Sequence, residues 1–90
     1  MSKAKILLID DEENLRNLLA RIIGLEGFTV LEAGNAKAGL KILESESIQV
    51  VITDVKLPDA NGVELTSRLK LQFPEIEVIV LTAYGTIEDG

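Results

Sequence analysis

Apolar positions alternate along this chain between two kinds of pattern. Short unbroken apolar runs lie at Lys5–Ile9, Phe28–Ala33, Gln49–Thr53 (QVVIT) and Glu77–Leu81 (EVIVL). Runs of this length read as buried strands, and the third is rich in the β-branched residues that favour strands. Between the runs the apolar residues fall at helical spacing. Leu15, Leu18, Leu19, Ile22 and Ile23 form one stripe, with Arg16, Asn17 and Arg21 off it. Ala36, Gly39, Leu40 and Leu43 form a second, and Leu65, Leu69 and Phe73 a third. The punctuation agrees. Asp11 is expected to cap the first helix, and Gly24 and Gly27 bracket its end. Asn35 caps the second, and Asn61 with Glu64 has the spacing of a capping box for the third. Pro74 stops the third helix. Asp54–Ala60, holding Pro58, reads as a loop, and Thr86 and Asp89 as the start of a fourth helix.

Strands alternating with helices imply a parallel sheet covered on both faces, which is why the strands are apolar throughout. Crossovers are right-handed. With strand order 2-1-3-4, the first helix lies on one face and the second and third on the other.

Composition narrows the possibilities. Ninety residues, 47% hydrophobic and 27% charged, suit one small globular domain spanning residues 1–90. The chain has no cysteine and no histidine, which removes disulfides, thiolate nucleophiles, zinc sites of the usual kind and any imidazole base. Cytoplasmic residence is the expectation. A net charge of −6 disfavours direct nucleic-acid binding. No apolar run reaches membrane-spanning length, and MSKAKILLIDDEE does not read as a signal peptide, since acid follows the short apolar run at once.

The chemistry gathers at strand ends. In open α/β sheets, ligands bind beyond the carboxyl ends of the strands, where strand order reverses. Here that point lies between the first strand, ending at Asp10 and Asp11, and the third, ending at Asp54. The fourth strand brings Thr82 to the same edge. Three carboxylates and a hydroxyl form a hard-oxygen site suited to Mg²⁺, which would offset the repulsion among them. Taken singly, Asp10 or Asp11 could instead cap the first helix, and Asp54 could open a turn. Glu12 and Glu13 read as a solvated first helical turn, and Lys3, Lys5, Lys37 and Lys41 as ordinary surface.

The segments IDDEENLR, VITDVKLPDANGVEL and VIVLTAYG, in this order and each at the end of an apolar strand, resemble the receiver domain of bacterial two-component response regulators. LTAYGTIEDG further resembles receivers of regulators that act with the alternative sigma factor 54. The resemblance implies a flavodoxin-like, doubly wound fold and a Mg²⁺-dependent phosphoacceptor, phosphorylated by the phosphohistidine of a sensor histidine kinase, with no enzymatic turnover. It makes Asp54 the phosphoacceptor. Asp11 and Asp54 would bind Mg²⁺ directly, Asp10 through a water, and Lys56 through its backbone carbonyl. Thr82 would contact the phosphoryl group and act as a switch, Ala83 would keep the approach open, and Tyr84 would tune access by water.

The family carries a fifth βα unit, with a lysine that contacts the phosphoryl group, and the 90 residues hold no counterpart. The fold is therefore expected as an incomplete receiver whose phosphotransfer is impaired more than its metal binding. Its fourth strand becomes a sheet edge with bare apolar side chains beside the first helix. Self-association through that edge, or completion by another chain, is the expected consequence. A non-signalling assembly fragment of a receiver fold is the alternative function, and a small phosphohydrolase with a nucleophilic Asp a weaker third.

Overall fold

The computed structural model describes residues 4–81. The chain opens with strand β1 (Lys5–Ile9) and helix α1 (Glu13–Leu25), then β2 (Thr29–Ala33) and α2 (Ala36–Ser45). Strand β3 (Val50–Asp54) leads into two very short strands, β4 (Lys56–Leu57) and β5 (Ala60–Asn61). Helix α3 (Gly62–Gln72) and β6 (Glu77–Leu81) follow. The main sheet is parallel with order β2-β1-β3-β6, which is the flavodoxin-like order expected, β6 standing as fourth strand. The expected fourth helix at Thr86 lies outside the described residues.

Three details differ from expectation. Glu12, not Asp11, is the N-cap of α1, its carboxylate accepting from the amides of Asn14 and Leu15. Oδ1 of Asp10 accepts the Glu12 amide at 2.9 Å, which fixes the turn leading into the helix. The segment after Asp54 is no plain loop, since β4 and β5 pair antiparallel, Lys56 opposite Asn61 and Leu57 opposite Ala60. The third strand also sits one residue later than its apolar run suggested, because Asp54 itself pairs with Leu81 of β6.

The two faces of the sheet are unequally covered. Leu7, Ile9, Val51, Leu43, Leu65 and Leu69 form the core between the sheet and the α2–α3 layer. On the other face Ile6 and Leu8 are buried, but no residue of α1 is. Its stripe residues Leu15, Leu18 and Ile22 stay about half exposed, as does Ile79 of β6 at 47%. Ile79 lies level with Ile52 and Leu8 across the sheet, but Leu8 is fully buried and Ile52 partly so, and of these three only Ile79 is exposed.

Candidate functional site

The parallel register sets the site. β1 and β3 are hydrogen-bonded neighbours, Ile9 level with Thr53, so the residues following them, Asp10 and Asp54, emerge side by side at the carboxyl edge. Asp10, Asp11 and Asp54 each offer a carboxylate oxygen, and the three oxygens lie within 4.8 Å of one another. Asp10 is buried, Asp54 half-buried and Asp11 exposed, so the cluster opens outward from a buried base.

The backbone around the carboxylates is fixed. The Asp10 amide donates to the Ala33 carbonyl at 3.0 Å, and the Asp10 carbonyl accepts from the Arg16 guanidinium at 2.8 Å. Arg16 also pairs with Glu32 at 3.0 Å. Oδ1 of Asp54 accepts the Val55 amide at 2.7 Å, and that amide also donates to the Leu81 carbonyl at 3.1 Å. This second bond ties the end of β6 to the site. Gly62 completes the frame: its amide donates to the Val55 carbonyl at 2.6 Å, and a β-carbon there would overlap the Asp54 carbonyl oxygen.

Electrostatics leave the cluster short of positive charge. Burial, followed by the nearby charges of Asp54, Asp11 and Glu12, pushes the Asp10 carboxyl above the ordinary carboxylate range, although the hydrogen bond from the Glu12 amide pulls it back. Among the described residues no cationic side chain pairs with the three carboxylates, the ion pairs there being Lys5 with Glu46 and Arg16 with Glu32. Converging, mutually repelling carboxylates with a buried member are the donor set that a hard divalent cation fits.

Residues 6–90 match the family described as the response regulator receiver domain. The chain belongs to this family. Sporulation initiation phosphotransferase F of Bacillus subtilis is 35% identical to this receiver over 88 residues, 98% of this chain and 71% of that protein. The transcriptional regulatory protein GlrR of Escherichia coli is 35% identical over 87 residues, which are 97% of this chain and 20% of that protein. The receiver thus spans about a fifth of the length of such a regulator. Among solved structures, the response regulator TrrA of Thermotoga maritima in complex with Mg²⁺–BeF has a TM-score of 0.86 at 32% identity, over 92% of this chain and 72% of that one. TrrA in complex with the histidine kinase ThkA gives a TM-score of 0.86 at 31% identity, over 98% of this chain and 76% of that one.

The structure brings together Asp10, Asp11 and Asp54, as the strand ends implied. Lys56 stands two residues beyond Asp54 as the first residue of β4, with its side chain exposed. Thr82, Ala83 and Tyr84 lie outside the described residues. Sequence reasoning passed over Arg16, which reads as a surface residue off the apolar stripe, although a guanidinium one helical turn past a strand end is well placed to take a strand-end carbonyl. It also passed over Asp59 in the turn of the β4–β5 hairpin.

Proposed function

We propose that this receiver is a Mg²⁺-dependent phosphoacceptor, and the convergence of Asp10, Asp11 and Asp54 within 4.8 Å carries that reading. An Asp54 oxygen attacks the phosphorus of a phosphohistidine on a sensor histidine kinase. The P–O bond forms as the P–N bond breaks, and the imidazole nitrogen leaves with the electron pair. Asp11 and Asp54 would hold the cation directly, Asp10 through a water, and the Lys56 carbonyl would add a fourth oxygen. When bound, Mg²⁺ supplies neutralisation of phosphoryl and carboxylate charge. The Asp54–Val55 backbone, held by the bonds to Leu81 and Gly62, presents the nucleophile in a fixed orientation. Thr82 would take a phosphoryl oxygen and Ala83 would leave room for it. Because Leu81 is level with Asp54, the Thr82 contact would be read out through β6.

The complex of TrrA with a histidine kinase and its Mg²⁺–BeF state support this reading. Similarity to the transcriptional regulatory protein GlrR supports an output in transcription, exerted by parts of a longer regulator, and the resemblance of LTAYGTIEDG supports the sigma-54-dependent kind. No helix among the described residues is long and apolar enough to cross a membrane, and action in the cytoplasm, where such kinases present their phosphohistidine, follows from the same reading. The test is mass spectrometry after exposure to acetyl phosphate with Mg²⁺. One phosphoryl group on Asp54, lost in Asp54→Asn, is expected. A folded sample that gains none overturns the reading, and continuous phosphate release would make the chain a phosphohydrolase instead.

A second reading rests on the exposure of Ile79 (47%) and Leu81 (37%) on β6, which edges the described sheet. Pairing of β6 with its counterpart in a second copy would satisfy the edge backbone groups and set further side chains beside Ile79 and Leu81. Sedimentation across a concentration series tests this, and a monomer at every concentration refutes it.

A further inference from the structure

The β4–β5 hairpin begins two residues beyond Asp54 and has two residues in each strand. A hairpin so short cannot hold its own shape in water. Its base is held by Gly62, through the Val55 carbonyl and the close approach to Asp54. Its tip is held by Asp59. The two carboxylate oxygens of Asp59 reach a different element, Oδ1 accepting the Ala36 amide at 2.8 Å and Oδ2 the Lys37 amide at 3.0 Å. Asn35 takes the next amide, that of Ala38, at 2.7 Å. The first turn of α2 is thus capped jointly by its own Asn35 and by an aspartate 22 to 23 residues further along the chain.

We propose that Asp59 is a positioning residue for the carboxylate site: by clamping the hairpin tip onto α2, it fixes the stretch carrying the Lys56 carbonyl that a cation shared with Asp10, Asp11 and Asp54 would use. This rests on the metal reading above. Lys56 lies between the two anchors, so freeing the tip leaves its carbonyl held from one side. The two amide bonds, from Ala36 first and Lys37 second, hold the Asp59 carboxyl below the ordinary range, so the clamp is ionised and closed at neutral pH. A carboxylate at a helix N-terminus is also favoured by the helix dipole.

The alternative is that Asp59 merely stabilises α2, and a pair of variants separates the two roles. Mg²⁺ affinity of the full chain is read from amide NMR shifts, at a temperature where circular dichroism shows each variant folded. Asp59→Ala is expected to raise the Mg²⁺ Kd by about tenfold, the lower range for loss of a residue that orients a metal ligand. Asp59→Asn, which retains a carbonyl acceptor, is expected to fall between. Asn35→Ala removes a cap from the same helix turn without touching the hairpin; it should lower the Tm and leave the Kd unchanged. An unchanged Kd in folded Asp59→Ala overturns the proposal, as does an equal rise in Asn35→Ala. Should Asp59→Ala not fold, Asp59→Asn decides by the same criterion. Absence of Mg²⁺ binding in the unsubstituted chain overturns the metal reading, and the clamp with it, whereas binding with indifferent variants overturns the clamp alone.

Discussion

The carbonyl oxygen of Asp54 occupies the space that a β-carbon on residue 62 would need, so Gly62 is required by the residue it helps to place. The obstruction is backbone, which cannot swing aside as a flexible side chain would. Gly62→Ala must therefore push the Asp54–Val55 turn away from the start of α3 and stretch the bond from the Gly62 amide to the Val55 carbonyl. Overpacking of this kind costs roughly 1–3 kcal/mol. Urea unfolding should show that loss, and phosphoryl uptake by Asp54 should fall as well, because the displaced atoms belong to the nucleophile's own backbone.

Asp10 contributes to the pH dependence of the metal-free domain. Its folded-state pKa is raised, chiefly by burial, so its contribution to stability is complete below the ordinary carboxylate value of 3.8 and is lost as pH rises through the folded value. At neutral pH the ionised Asp10 opposes folding. Asp10→Asn retains an oxygen for the Glu12 amide and removes the charge. Without divalent ions it should be more stable than the unsubstituted chain at pH 7, with the advantage shrinking as pH falls through the Asp10 titration. Denaturant unfolding at a series of pH values in chelator checks this; an advantage that grows on acidification contradicts it. Asp59 acts with the opposite sign, stabilising above the ordinary carboxylate range and losing its effect as pH falls through its lowered value.

Much of this was legible before the structure because the sequence obeys local rules. Each main strand is a bounded apolar run, and Asn35 and Asn61 cap their helices with the side-chain bonds their position implied. The acid cluster was legible because strand order alone decides which strand ends are neighbours. The features that escaped are tertiary. Asp59 has the ordinary composition of a turn, and its partners on α2 are far away in sequence. Asp11 has the ordinary composition of a cap, but it is the Glu12 side chain that accepts the free amides of the first turn, those of Asn14 and Leu15. The stripe of α1 was read correctly as apolar, while its half-exposure depends on what lies against the helix, which periodicity does not encode.

Leu69 and Leu71 stand two residues apart on α3 and should respond oppositely to the same substitution. Leu69 is fully buried in the α2–α3 core, whereas Leu71 is 85% exposed. Leu69→Ala removes buried methyl groups and leaves a cavity, a loss of roughly 2–5 kcal/mol. Leu71→Ala should change stability by no more than about 0.5 kcal/mol. Thermal unfolding resolves the contrast, since in a domain of this size each kcal/mol moves the Tm by about 4–8 °C. Similar shifts in the two variants would place α3 in a different rotation against the sheet.

Metal addition tests the carboxylate cluster independently of phosphorylation. A ligand that binds only the folded chain adds about 2.7 kcal/mol at one hundred times its Kd. Mg²⁺ at that excess should therefore raise the Tm well beyond what the same ionic strength of NaCl achieves. The gain should be largest at neutral pH and should shrink on acidification as Asp10 takes up a proton, since a protonated carboxyl neither repels its neighbours nor coordinates well. Asp54→Asn should lose most of the gain, because it turns one of the three carboxylates whose oxygens lie within 4.8 Å into a neutral amide. It should also be more stable than the unsubstituted chain in chelator, since the charge it deletes is one of those raising the Asp10 pKa. Equal Mg²⁺ stabilisation in the Asp54→Asn variant would place the ion elsewhere and separate the acid cluster from metal binding.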